Sequence, residues 1–171
     1  MWFVGAPVSF STDLGEIVPP GAEVVATRPG DRHLTLVFLG GVPEETVAQC
    51  WGDLPELALP AQVRPLAWER FGRRAIALVV SDDDGLLRAA GDACHDTAVR
   101  LVEVRRPDGF RPHVTMARVP RRARPPTAKV LREWPVPSRP LDVGPATLFR
   151  SRSGGTGDRY EVVEVQPRAE A

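Results

Sequence analysis

Apolar and polar residues alternate along several short segments of the chain, as they do in strands that bury one face. Other segments repeat apolar residues every three or four positions, which is typical of amphipathic helices. Prolines and glycines separate these segments. The pattern predicts strands at residues 2–6, 23–28, 33–39, 62–71, 75–80, 111–119, 141–149 and 160–165, and helices at 12–18, 43–54, 85–101 and 127–134.

One predicted strand is apolar at every position and should lie in the interior of a sheet. This run is Ala75–Val80, and an acidic stretch, 81–84, follows it. Acidic residues at that place favour an N-cap for the helix that comes next, and their spacing fits no calcium loop. The order of strands and helices recurs in the two halves of the chain, which predicts two related lobes.

Two tetrads of one form stand out within the predicted strands. They read His33-Leu34-Thr35-Leu36 and His113-Val114-Thr115-Met116. Because a strand alternates its side chains between two faces, each histidine shares a face with its threonine while the apolar residues point into a core. Composition alone makes two such matches a coincidence of roughly one in a thousand. The tetrads therefore predict two polar His-Thr faces that meet in one cleft.

Paired imidazoles are suited to acid–base chemistry, because histidine titrates near neutral pH without help. The chain has three histidines, and the third, His95, lies in a predicted helix with no companion motif. We expect His95 to be a surface or structural residue. A hydrolytic site at the tetrads would use one imidazole as base and the other as acid, and the sequence by itself leaves the assignment open.

Composition excludes several classes of protein. The 171 residues carry no formal net charge, so no global field draws the chain to nucleic acid or to an anionic membrane. Cys50 and Cys94 form no metal-ligand spacing, and no run approaches the roughly 20 apolar residues that span a bilayer. The start of the chain is unlike a signal peptide. We expect a soluble, cytoplasmic, monomeric protein of one domain, residues 1–171, with no metal and no cofactor.

The segments around the tetrads resemble the 2H phosphoesterase superfamily, and most closely its RNA 2′,3′-cyclic phosphodiesterase group, historically called 2′-5′ RNA ligases. The resemblance covers most of the chain and is carried by 32–40, 110–118, 148–151 and 157–163. It implies an α+β fold of two pseudo-symmetric lobes, with antiparallel sheets that line a central cleft and helices outside. It also implies hydrolysis of 2′,3′-cyclic phosphates on RNA ends or nucleotides to 2′-phosphomonoesters without metal, with 2′-5′ joining in some members.

By the same resemblance, His33 is the general acid on the 3′ oxygen and His113 is the base on water. Thr35 and Thr115 can donate their hydroxyls to phosphate oxygens. Arg118 follows His113 by five residues and does not share its side of an unbroken strand. We nevertheless expect it to reach the rim of the cleft and to add a charge-assisted contact, as the family pattern has an arginine there.

Two alternatives stay open at this point. The stretch before His33 is short for the family, which allows a different small cyclic phosphate or a 2′-5′ oligonucleotide as substrate. A non-catalytic module that binds RNA ends would use the same histidines as phosphate ligands only. The arginines from Arg118 to Arg124 fit an RNA-backbone patch or a solvated loop equally well. We expect Phe38 and Phe110 to lie in the core, with base stacking as the lesser option.

Overall fold

The computed structural model describes residues 1–10, 23–59, 61–104, 109–152 and 159–167. The predicted helix at 12–18 and the glycine-rich turn at 154–157 lie outside the described residues. The described ranges form ten strands: β1 (Trp2–Ser9), β2 (Val25–Ala26), β3 (His33–Gly40), β4 (Ala61–Val63), β5 (Pro65–Phe71), β6 (Ala75–Val80), β7 (His113–Arg118), β8 (Leu141–Val143), β9 (Thr147–Ser151) and β10 (Tyr160–Val165). The helices in the same ranges are α1 (Glu44–Gly52), α2 (Leu86–Ala98) and α3 (Ala128–Arg132).

Two of the predicted strands are each divided into a pair. The run 62–71 becomes β4 and β5, and the run 141–149 becomes β8 and β9. β4 pairs with β8 whereas β5 pairs with β6. β8 pairs with the end of β1 and with β4, whereas β9 pairs with the start of β1 and with β10. A change of partner needs a break in the ladder, which apolar patterning along one chain segment does not reveal. The predicted helix 85–101 also ends earlier, at Ala98.

The strands form one antiparallel sheet in which the main path runs β10-β9-β1-β3-β7-β6-β5. The first half of the chain contributes β1, β3, α1, β4 and β5, and the second half contributes β6, β7, α3, β8 and β9 in the matching order. The two motif strands, β3 and β7, meet at the centre of the sheet. Strands of the two halves also pair with each other at two further places, because β5 pairs with β6 and β9 pairs with β1. The predicted α+β fold of two pseudo-symmetric lobes is confirmed.

The core lies on the face of the sheet opposite the histidines. Leu34, Leu36, Val114 and Met116, the apolar members of the tetrads, are buried in it, and α2 packs against β3. The acidic cap predicted before α2 is confirmed, since the Asp82 carboxylate accepts hydrogen bonds from the backbone amides of Leu87 and Arg88. Both cysteines are buried free thiols, as expected for small core residues. No helix in the described ranges is long and apolar enough to cross a membrane.

Candidate functional site

The two tetrads lie side by side at the centre of the sheet. β3 and β7 are antiparallel and pair at Leu34 and Val114. In an antiparallel register, the next positions outward place His33 across from Thr115 and Thr35 across from His113. These four side chains are partly exposed while their apolar neighbours are buried. Each histidine therefore lies beside its own threonine along the strand and beside the other tetrad's threonine on the paired strand.

Each histidine is held by the same local contact. Nδ1 of His33 lies 2.8 Å from the backbone carbonyl oxygen of Asp31, and Nδ1 of His113 lies 2.8 Å from that of Arg111. A carbonyl oxygen can only accept, so Nδ1 carries the hydrogen and donates it in both rings. Neither Nε2 has a hydrogen-bond partner within the described residues, so Nε2 is left for a ligand in each case. In the neutral form it accepts a proton, and in the charged form it donates one.

A β-bulge at the last residue of each tetrad explains where Arg118 lies. The pairing slips by one residue at Leu36 in β3 and at Met116 in β7, because Thr35 and Val37 face consecutive residues of β1 and Thr115 and Ala117 face consecutive residues of β6. An extra residue reverses the alternation beyond it. The side chain five residues after each histidine therefore returns to the histidine face.

The bulges place two side chains on the histidine face of the sheet, that of Arg118 on β7 and that of Phe38 on β3. Arg118 is near enough to His33 to lower the pKa of that imidazole by charge repulsion. Phe38 is 60% exposed, and its ring lies 5.5 Å from that of Phe3. The prediction that Phe38 belongs to the core is therefore wrong, since the bulge turns it outward. Phe110 does pack against the core.

Three aromatic rings surround His33. The ring centroids of Phe3, Tyr160 and Phe149 lie 4.6, 4.8 and 5.5 Å from that of the imidazole. Burial among these rings is the largest cause that lowers the pKa of His33 to about 4, and the positive charge of Arg118 acts in the same direction. The hydrogen bond to the backbone of Asp31 opposes the shift. His33 is consequently neutral at pH 7 when no ligand is bound.

One aromatic ring covers His113. Phe71 stacks on it with centroids 3.7 Å apart and planes tilted by 10°. Burial again lowers the pKa of the imidazole, the hydrogen bond to the Arg111 carbonyl opposes this, and the Arg111 guanidinium lowers it further. Arg111 is paired with Glu69 at 2.6 Å, and the negative charge of Glu69 partly offsets that effect. His113 thus has a lowered pKa in a more open setting than His33.

Asp31 and Tyr160 belong to the same neighbourhood and were not predicted as site residues. The Asp31 side chain accepts hydrogen bonds from the backbone amides of Arg159 and Tyr160, at 2.7 and 3.1 Å. The Tyr160 hydroxyl accepts one from Arg118 Nη2 at 3.3 Å. The partners lie more than 40 residues apart along the chain in every case. No spacing rule links such residues, so the sequence holds no local signal that would have found them.

The remaining candidates lie elsewhere. His95 is a partly buried residue of α2 beside Asp96, as expected for a structural histidine. Arg121, Arg122 and Arg124 are exposed in the loop that follows β7 and lie outside the strand that carries Arg118. Among the described residues, no three histidine, cysteine, aspartate or glutamate side chains come together as a metal site.

Solved structures resemble the chain over almost its whole length. E. coli LigT complexed with 3′-AMP superposes with a TM-score of 0.71 at 18% identity and covers 99% of this chain and 98% of its own. The chain has the LigT fold. A crystal structure of a phosphoesterase gives 0.71 at 19% identity with the same coverage. TT0787 of Thermus thermophilus gives 0.66 at 23% identity, covering 95% of this chain and 94% of its own.

The LigT fold accounts for the topology of this chain, and the resemblance to 2H phosphoesterases is confirmed at the level of the fold. E. coli LigT has also been crystallised with phosphate, ATP and NADP+. At identities of 17 to 23% these likenesses establish the LigT fold alone. No family model matches the sequence, and no curated protein does.

Proposed function

We propose that residues 1–171 form a single 2H phosphoesterase domain. It acts as a monomer and hydrolyses 2′,3′-cyclic phosphates, on RNA ends or on nucleotides, to 2′-phosphomonoesters without a metal ion. The observation that carries the proposal is the matched pair of imidazoles, each with Nδ1 held by a backbone carbonyl and Nε2 left for a ligand. Two such groups on neighbouring strands are what an in-line displacement at phosphorus needs.

The reaction divides between the two histidines. Nε2 of His113 takes a proton from water as the water oxygen attacks phosphorus. Nε2 of His33 gives its proton to the ribose 3′ oxygen as the phosphorus–O3′ bond breaks, so the product keeps the phosphate on the 2′ oxygen. Joining a 2′-5′ linkage would use the same roles, with a 5′ hydroxyl in place of water: His113 takes its proton and His33 protonates O3′ as the phosphorus–O3′ bond breaks. The roles exchange only in the reverse reaction, in which O3′ attacks phosphorus to form the cyclic ester and the oxygen on the far side leaves with a proton from His113.

Side chains on the same face hold the phosphoryl group. The hydroxyls of Thr35 and Thr115 donate to its nonbridging oxygens, and the Arg118 guanidinium adds a charge-assisted contact. These donors act where negative charge is concentrated during the transfer. The exposed ring of Phe38 offers a base a face to stack on, which favours a nucleotide over a small aliphatic cyclic phosphate.

Ligand binding allows His33 to take from solvent the proton that it needs as the acid. In the free protein the pKa of both histidines is lowered, that of His33 to about 4. A phosphoryl anion between the rings offsets the repulsion by Arg118 and stabilises the imidazolium form. The substrate therefore raises the pKa of His33, and the complex takes up a proton that the free site lacks at neutral pH.

Hydrolysis of a nucleoside 2′,3′-cyclic phosphate in excess EDTA tests the proposal. We expect His33→Ala and His113→Ala each to lower kcat by about 100- to 10,000-fold, because each removes one proton-transfer group. His95→Ala is the matched control and should retain the wild-type rate. Circular dichroism of all three variants checks that they fold.

Each other outcome counts against part of the proposal. Full activity in either motif variant would refute the assignment of the two histidines. Loss of wild-type activity in EDTA that zinc or magnesium restores would refute the metal-independent mechanism. Phosphate binding without turnover would favour the module that only binds RNA ends, and competition between tRNA halves and mononucleotides separates the substrate classes.

A further inference from the structure

Tyr160 is the single tyrosine of the chain and begins β10 beside His33. Its ring meets the imidazole edge-on, with centroids 4.8 Å apart at an interplanar angle of 86°. It meets Phe3 in the same manner at 5.1 Å and 83°. The ring is therefore one of the aromatic groups that bury His33, and its hydroxyl extends from them toward Arg118 on β7.

The Tyr160 hydroxyl contacts Arg118 at 3.3 Å. A guanidinium has no acceptor, so Arg118 donates and the phenol oxygen accepts. The phenol proton is then directed to another acceptor. Within the described part of the chain the hydroxyl makes no hydrogen bond to a second residue. The geometry leaves a donor beside the side chain that is proposed to hold a phosphoryl group.

A buried carboxylate fixes the position of Tyr160. Asp31 is 8% exposed, and its side chain accepts the backbone amides of Arg159 and Tyr160. The backbone carbonyl of the same Asp31 accepts the Nδ1 hydrogen of His33. One residue thereby anchors both the start of β10 and the imidazole, so the phenol and the histidine keep a constant relative position.

We propose that Tyr160 is a phosphate-binding residue of this site: its hydroxyl, oriented by Arg118 and by Asp31, donates to a nonbridging phosphoryl oxygen. This inference rests on the proposed function and adds a donor from the C-terminal strand, which neither tetrad contains. It makes the site depend on β10 as well as on β3 and β7. The ligand class is a phosphate monoester or diester, or inorganic phosphate.

Tyr160→Phe is the decisive variant, because it keeps the ring against His33 and removes only the hydroxyl. We expect the dissociation constant for inorganic phosphate, measured by calorimetry at pH 6, to rise about 10-fold, the usual loss for a hydrogen bond to a charged group. We expect kcat/KM for a 2′,3′-cyclic nucleotide to fall by a similar factor. Ser9→Ala, at the exposed end of β1, is the hydroxyl control and should change neither value.

The single tyrosine permits a direct spectroscopic check. With ¹³C-labelled tyrosine, the Cζ resonance should shift when phosphate saturates the wild type. In Arg118→Gln, at a phosphate concentration that saturates that variant, the shift should be smaller, because Arg118 no longer orients the phenol. When neither protein has a ligand bound, the His33 ring resonances of Tyr160→Phe should match those of the wild type. A match shows that the substitution removes the hydroxyl donor without disturbing the aromatic packing around His33.

The outcomes separate the two proposals. Wild-type phosphate affinity in Tyr160→Phe, or a Cζ resonance that ignores phosphate, would overturn the role of Tyr160 while the histidine variants still test the reaction. A wild type that binds phosphate but hydrolyses no cyclic nucleotide would refute the reaction, and a 10-fold weaker phosphate affinity in Tyr160→Phe would then still support the donor. A wild type that binds no phosphate would refute the role of Tyr160.

Discussion

At the scale of single residues, the two histidines are alike in the sequence and unequal in the structure. In both, the Nδ1–H group donates a hydrogen bond to the backbone carbonyl oxygen two residues earlier, yet that earlier residue is acidic Asp31 in one case and basic Arg111 in the other. Three rings enclose His33 and one covers His113. Identical motifs can therefore serve two different roles, because surroundings rather than residue type set the proton affinity.

The pH dependence of the reaction follows from these surroundings. The productive form has one neutral and one protonated histidine, and both pKa values are lowered from 6.5 in the free protein. We expect kcat/KM, which reports the free protein, to follow a bell whose maximum lies below pH 6.5. It should fall about tenfold per pH unit on the alkaline side. Because the bound anion raises the pKa of His33, the kcat bell should lie at higher pH.

Steady-state rates between pH 4 and 9, in buffers of constant ionic strength, provide the measurement. A kcat/KM maximum above pH 7, or coincident bells for kcat and kcat/KM, would contradict the burial argument. The histidines would then titrate as if they were exposed.

At the scale of elements, β1 packs closely against β3, the strand that carries the first tetrad. Gly5 lies opposite Thr35 in that ladder, just before the bulge. A Cβ added at Gly5 would lie 2.6 Å from the backbone carbonyl oxygen of Leu34, a distance that real Cβ atoms do not reach. Since the neighbour is backbone rather than a flexible side chain, the strands themselves would have to separate.

Gly5→Ala should therefore destabilise the protein by about 1–3 kcal/mol, the usual range for overpacking. Gly52→Ala is the matched control, since Gly52 is in the last turn of α1 and an added Cβ there meets nothing within 4 Å. That variant should be neutral or more stable by up to about 1 kcal/mol. Denaturant unfolding of both variants gives the comparison, and equal stability of the two would refute the contact argument.

At the scale of the whole molecule, the two halves share one order of elements and pair strand to strand in a single sheet, with the β3–β7 pair as the central seam. β5 joins β6, β9 joins β1, and the seam between β3 and β7 carries both histidines. Opening the seam would expose the buried apolar members of both tetrads. The candidate site and the centre of the core are thus opposite faces of the same two strands, so folding and site assembly are coupled.

Because folding buries the imidazole of His33, the stability of the whole molecule is sensitive to acid. The pKa of His33 falls from 6.5 to about 4 on folding, so between those values the unfolded chain binds a proton that the native state excludes. The part of the free energy of unfolding that is linked to this proton is fully present above pH 6.5 and is lost as the pH falls toward 4. It amounts to about 3 kcal/mol at most.

Denaturant unfolding between pH 7 and pH 4 measures this effect. We expect His33→Gln to flatten the pH dependence of the free energy of unfolding, while His95→Gln leaves the slope as in the wild type. A wild-type slope in His33→Gln would show that other groups cause the acid sensitivity.

The sequence by itself determined most of the strands, the helices in outline and the shared His-Thr face of each tetrad, because these depend on alternation and spacing along a few consecutive residues. Tertiary structure decided the rest. The bulges that place Phe38 and Arg118 on the histidine face arise from slips against β1 and β6. In hindsight, the adjacent apolar pairs Leu36-Val37 and Met116-Ala117 interrupt the alternation at those slips. The contact of Asp31 with Tyr160 spans 129 residues. The local sequence pattern predicts which face of a strand a residue prefers, whereas its cross-strand partner is decided only when distant segments pack together.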